Sequence, residues 1–244
     1  STCTMSSVQV TTDVALAGVL ERFWGYSSFR PLQRDAMDAI IAGRDSIDPD
    51  APVQTYLPWF ELADKEASAK ITVRNLLNQT TGISTIDGNR FWDSQLELEE
   101  TVREFKTIQL NQPVGTTYQY SNINYSIAGL IVEKVSGQSY ADYVTQHIFE
   151  PLGMRHSYAS PALAKADGLA DGHYYRFGHV VGYEVTAPFV AIPGGFLIAS
   201  VEDMSQYAIS HLNDGRYGKS SILSPQGIAE LHAPAISTRG DQHY

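Results

Sequence analysis

Gln112-Pro-Val-Gly-Thr-Thr-Tyr-Gln-Tyr-Ser-Asn-Ile-Asn-Tyr-Ser-Ile-Ala-Gly-Leu-Ile-Val-Glu-Lys-Val-Ser-Gly-Gln-Ser-Tyr-Ala-Asp-Tyr-Val144 carries the strongest structural signal in this 244-residue chain. Pro113-Val-Gly115 reads as a turn that opens a polar loop, Tyr118 to Asn122, whose side chains project rather than bury. Ile127, Ala128, Ile131 and Val135 then recur at helical spacing, and Gly137 is placed to stop the helix. Ser139 with Asp142 forms a capping box for a second helix, which Pro151 is expected to close. Tyr120 and Asn122 thus sit on a loop between a turn and a rigid helix pair, the way functional side chains are held in register.

Working outward, Thr72 is expected to cap a short helix through Val73, Leu76 and Leu77, and Leu98, Val102 and Phe105 stripe another. The other face of that helix carries Glu97, Glu99, Glu100 and Glu104 and reads as solvated surface. Residues 172–190 alternate aromatic and polar types, which predicts one or two strands around a turn at Gly182. Ser200 with Asp203 caps a helix from Val201 to Leu212, and Ser224-Pro225 starts a last one through Ile228 and Leu231. Upstream, Asp13 and Pro31 open two further expected helices that end at Gly25 and Gly43.

Tyr120-Ser-Asn122 resembles the Tyr-x-Asn motif of the serine β-lactamase and penicillin-binding-protein-like superfamily, most of all its class C-like hydrolases and family VIII carboxylesterases. Glu150-Pro-Leu-Gly-Met154, the Ile71 to Ile83 run with its Thr-Thr-Gly turn, Asp48 to Leu57, Pro193-Gly-Gly195 and Ile222-Leu-Ser-Pro225 continue the likeness over residues 47–240. The resemblance implies a helical domain against an antiparallel sheet whose strands come from both chain ends. Those strands are expected to be missing here. The fold class is therefore mainly α with minor β, an α+β chain that exposes apolar helix faces and favours homo-oligomers.

The resemblance also implies acyl transfer on a small-molecule amide or ester. A serine one helical turn before a lysine is the nucleophile, the motif tyrosine (Tyr120) shares the proton shuttle, and the motif asparagine (Asn122) holds the substrate amide. No serine in the chain has a lysine three residues on, and the expectation is that the third motif falls beyond Tyr244. Ser27-Ser-Phe-Arg30 lies near the nucleophile's expected distance from Asp50-Ala-Pro-Val53, but a guanidinium stays protonated and cannot act as the base. Tyr120 alone, at the ordinary phenol pKa of about 10, is a poor base at neutral pH. The expectation is a crippled serine hydrolase, inactive or very weak; the alternative is a non-catalytic remnant or interaction module.

Residues 13–45 (Phe23-Trp-Gly-Tyr-Ser-Ser-Phe-Arg-Pro-Leu-Gln33 within them) resemble instead the adenine-reading motif of RecQ-type helicases, with Gln33 as the adenine reader. Two segments are thus expected: 1–46, RecQ-like, and 47–244, β-lactamase-like. A DNA-dependent ATPase remains a distant third reading. Gly215-Arg-Tyr-Gly-Lys-Ser220 has two residues between its glycines where a phosphate loop needs four, and reads as a turn.

Composition narrows the partners. A net charge of −10 disfavours nucleic acid and anionic membranes, and no apolar run reaches a membrane span. The single Cys3 excludes an internal disulfide, and the seven histidines show no metal-ligand spacing, so neither metal nor cofactor is expected. Ser1 to Thr12 lacks the basic start and apolar core of a signal peptide. A processed secreted chain would look the same, which leaves localisation open with a cytoplasmic lean.

Overall fold

The helix that follows Ser121 is the axis on which the other elements pack. The computed structural model describes residues 47–184 and 186–238. The helices expected upstream, with Ser27, Arg30 and Gln33, lie outside the described residues. In chain order the described helices begin with α1 (Val53–Tyr56), α2 (Lys65–Ser68), α3 (Val73–Leu77), α4 (Thr85–Asn89) and α5 (Leu98–Arg103). The long α6 (Asn122–Ser136) follows, then α7 (Tyr140–Val144), a π-turn over Thr145–Phe149 and α8 (Glu150–Leu152). The second half holds β1 (Ser157–Tyr158), α9 (Pro161–Ala166), β2 (Gly172–Arg176), β3 (His179–Tyr183), α10 (Ile192–Gly195) and β4 (Ile198–Ala199). It ends with α11 (Val201–Leu212), β5 (Arg216–Tyr217), β6 (Ser220–Ser221) and α12 (Pro225–Leu231). The fold is α-rich with short strands, α+β. Among the described residues the sheets are two-stranded and antiparallel: β1–β4, β2–β3 and β5–β6.

Every residue of α6 from Ile123 to Val132 is buried, so this helix is enclosed on all sides rather than amphipathic. It touches α1, α3, α4, α5, α7 and α10. Gly137 ends it as expected, in the left-handed conformation (φ 70°) with its N–H on the Glu133 carbonyl at 2.9 Å. Thr72, Ser139, Ser200 and Ser224 each accept a backbone N–H at the start of α3, α7, α11 and α12. These four caps stand where the sequence placed them.

Three details differ from expectation. Pro151 does not close the second helix, which runs through to Leu152 and stops at Gly153 (φ 73°). The π-turn before it widens the backbone, so the missing N–H and the bulk of the proline ring fall where a regular helix is already interrupted. The hairpin turn lies at Phe177-Gly178, both at positive φ (48° and 81°), while Gly182 sits inside β3 opposite His173. The acidic face of α5 is not merely solvated. The Glu99 carboxylate is paired with Lys134 of α6 and with Arg103 at 2.6 Å, and the Lys134 ammonium, ahead of the Arg103 guanidinium, holds it below the usual carboxylate range. Gly215 to Ser220 forms the tight β5–β6 hairpin, in line with its reading as a turn.

Two histidines clamp the end of α11 to the residue that follows α12. His211 Nδ1 lies 3.2 Å from His232 Nε2, and His211 is 6% exposed. Burial, and then the neighbouring His232, push the His211 imidazole down to about 4, and burial lowers His232 as well. A histidine whose folded pKa is depressed contributes stability above its unfolded pKa of about 6.5 and loses it as pH falls towards the folded value. The exposed His156–Asp167 pair works the opposite way, since Asp167 raises the His156 pKa. Urea unfolding should therefore be followed from pH 7 to pH 5 in the chain and in His211→Leu. The chain should lose stability with a slope of up to ~1.4 kcal/mol per pH unit from this group, and the variant should show a flatter slope.

Candidate active site

Helix α3 ends in a Schellman motif: the Thr80 N–H reaches the Asn75 carbonyl at 2.9 Å and the Gln79 N–H the Leu76 carbonyl at 3.4 Å. The left-handed position of that motif is normally glycine. Here it is Gln79 at φ 59°, which costs roughly 1–2 kcal/mol for a residue with a Cβ. Thr80, Thr81 and Gly82 continue the turn, and the loop that starts at Asn111 is laid along it. The Asn111 N–H donates to the Gly82 carbonyl (3.1 Å), the Gly115 N–H to Thr80 (2.8 Å) and the Gln119 N–H to Gln79 (2.8 Å). Gly82 (φ 83°) lets the two segments touch, since a Cβ there would sit 2.1 Å from the Gln112 carbonyl oxygen.

Side chains complete the clamp. Gln79 Oε1 accepts from the Ser121 N–H at 2.9 Å and from Asn124 Nδ2 at 2.6 Å. Thr81 Oγ1 donates to Asn124 Oδ1 at 2.9 Å, which fixes the Asn124 amide so that its nitrogen faces Gln79. Gln79, Thr81, Ser121 and Asn124 are all fully buried. The donors and acceptors bonded here are shut off from water and have no substitute partner, so the set favours one loop geometry.

Ser121 is extended (φ −147°, ψ 122°) and points inward, where its Oγ donates to the Ser84 carbonyl at 3.3 Å. Gly88 makes room for that hydroxyl: a Cβ there would lie 2.4 Å from Ser121 Oγ. The alternation of an extended chain turns Tyr120 the other way. Tyr120 is 38% exposed, and its carbonyl accepts from Thr85 Oγ1. Asn122 is half-buried as the first residue of α6. Its carbonyl meets α10, where a Cβ on Gly194 would come within 2.8 Å of the Asn122 oxygen and 3.0 Å of the Trp92 ring. Trp92 and Phe196 follow at 6.1 Å between ring centroids, tilted by 37°. The Pro193-Gly-Gly195 stretch thus borders the Tyr-Ser-Asn segment.

Tyr120 and Asn122 are therefore held on either side of one buried, doubly bonded residue. Gln79, Asn124 and Gly88 were not singled out from the sequence, whereas Gly194 was named only as part of the Pro193-Gly-Gly195 likeness. Their signal was present in part, as a polar Gln-Thr-Thr run before a glycine and an asparagine inside an otherwise apolar helix. Among the described residues, no group of three or more His, Cys, Asp or Glu is placed to hold a metal ion, and no helix is long and apolar enough to cross a membrane.

A family model described as Beta-lactamase matches residues 26–241. The chain belongs to the beta-lactamase family. The matched span begins inside the 13–45 segment and runs across the expected boundary at residue 46, and it gives the helicase-like resemblance no support. "Protein flp" of Staphylococcus aureus (strain MW2) is 27% identical over 163 residues, 66% of this chain and 33% of its own length. "Penicillin-binding protein 4" of Amycolatopsis lactamdurans is 29% identical over 199 residues, 79% of this chain and 50% of its own. The chain thus spans a third to a half of these curated relatives. The crystal structure of a D-stereospecific amidohydrolase from Streptomyces sp. superposes with a TM-score of 0.68 at 22% identity, over 83% of this chain and 64% of that one, a likeness of fold.

The loop clamp makes Gly82→Ala a sharp test of this geometry. A methyl group 2.1 Å from a backbone oxygen, at a backbone conformation L residues avoid, should lower the unfolding free energy by more than about 2 kcal/mol in urea titrations.

Proposed function

We propose that this chain carries the tyrosine side of a serine acyl-transfer site for small-molecule amides or esters, with Tyr120 in the proton-shuttle role and Asn122 as the substrate-amide anchor. The observation that carries it is the mounting of Tyr120-Ser-Asn122. Ser121 is buried and bonded, Tyr120 is turned outward, and the Pro-Gly-Gly stretch of α10 lies beside Asn122. Membership of the family supports the reaction class.

The same reading holds that the chain is inactive or nearly so. Acyl transfer needs a base within reach of the nucleophile, and none of the six lysines (65, 70, 106, 134, 165 and 219) has a serine three positions earlier. Members of such a catalytic unit act together, so losing one costs most of the rate. The second reading, a non-catalytic binding module on a β-lactamase-like fold, is favoured by that same absence. Self-association belongs to this proposal too, through exposed apolar side chains such as Ile86, Tyr175 and Phe177. The boundary between 1–46 and 47–244 stays a reading of the sequence alone.

Intact-mass spectrometry after incubation with a penicillin and with a fluorophosphonate tests the catalytic claim. No stoichiometric adduct is expected with either reagent. A one-to-one adduct on Ser27 that disappears in Tyr120→Phe would overturn it and establish a Ser-Arg-Tyr hydrolase.

A further inference from the structure

We propose that Gln79 is the positioning residue of the site, setting where Tyr120 and Asn122 point without touching the substrate. The proposal rests on the reading of Tyr120 and Asn122 as site residues. Three observations carry it. First, Gln79 holds a left-handed conformation (φ 59°) at the helix-ending position that glycine would fill without strain. A fully buried glutamine in that place needs a compensating interaction. Second, the interaction is with the segment around the motif. The Gln79 carbonyl takes the N–H of Gln119, and its side-chain oxygen takes the N–H of Ser121 and the Nδ2 of Asn124. These bonds fall on residues just before Tyr120, between Tyr120 and Asn122, and just beyond Asn122. Third, Gln79 Nε2 is buried with no hydrogen-bond acceptor among the described residues. The side chain therefore works through its oxygen alone.

That last point separates two substitutions. In Gln79→Met the length and burial are kept and the acceptor is lost. In Gln79→Glu the buried carboxyl takes up a proton, its carbonyl oxygen keeps the acceptor role, and its hydroxyl stands where Nε2 stood. A residue that only filled space would be replaced better by Met, and one that only contributed to global stability would leave the native position of Tyr120 unchanged.

The experiment uses the full chain labelled with 13Cζ-tyrosine, with the Tyr120 signal assigned from Tyr120→Phe, together with amide hydrogen exchange at Ser121. In the parent, the Ser121 N–H should be among the protected amides. In Gln79→Met its exchange should rise about tenfold or more, and the Tyr120 signal should shift or split while those of Tyr140 and Tyr207 stay in place. Gln79→Glu should bring the Tyr120 signal back to its parental position. An unprotected Ser121 amide in the parent overturns the proposal whether or not either variant folds. So does an unmoved Tyr120 signal in Gln79→Met, or a Gln79→Glu spectrum as displaced as that of Gln79→Met. None of these readouts requires an adduct, so failure of the catalytic reading and failure of the positioning role are seen separately.

Discussion

One buried carboxamide oxygen joins two distant parts of this chain. Gln79 Oε1 accepts from the backbone of the loop before α6 and from a side chain one turn into that helix. The bonds lie where water cannot compete, so each donor would carry its full desolvation cost if Gln79 withdrew. The backbone bonds from Asn111, Gly115 and Gln119 run alongside and leave the loop one register. Because α6 is enclosed on every side, the place where it starts also decides where α3, α4 and α10 meet it.

Much of this was legible in the sequence where local chemistry decides the outcome. Serine and threonine caps at 72, 139, 200 and 224 satisfy orphan N–H groups within a few residues of themselves, so the signal and the structure lie close together. Gly137 ends α6 for the same local reason. What was not legible depends on partners far along the chain. Gln79 reads as a neutral polar residue until Ser121 and Asn124, some forty positions away, are placed on it. Glu99 reads as solvated surface until Lys134 arrives from α6. Pro151 reads as a helix stop because the π-turn before it has no sequence signature. At the hairpin, Phe177 occupies a left-handed position that turn statistics assign to Asn, Asp or Gly, so the turn was expected a few residues later.

The site shows the same division. Tyr120 and Asn122 stood out because they match a short motif, and the structure gives them a rigid mount. The chemistry asked of them is carried by a family likeness and by residues the motif alone does not supply. A well-built mount and a missing Ser-Lys pair are compatible: the clamp consists of buried hydrogen bonds that serve folding whether or not a nucleophile is present. The fold can thus be kept at 22% identity to a solved amidohydrolase by hydrogen bonds that no step of acyl transfer requires.

The central claim is that Gln79 and the start of α6 are energetically coupled rather than merely adjacent. A double-mutant cycle on unfolding free energy, with Gln79→Met, Asn124→Leu and the pair, measures that coupling directly. The two losses should fall short of additivity by about 1 kcal/mol or more, because Gln79→Met alone strands the buried Asn124 Nδ2 and Asn124→Leu alone takes one of two donors from Gln79 Oε1. Losses that add to within about 0.5 kcal/mol would contradict it.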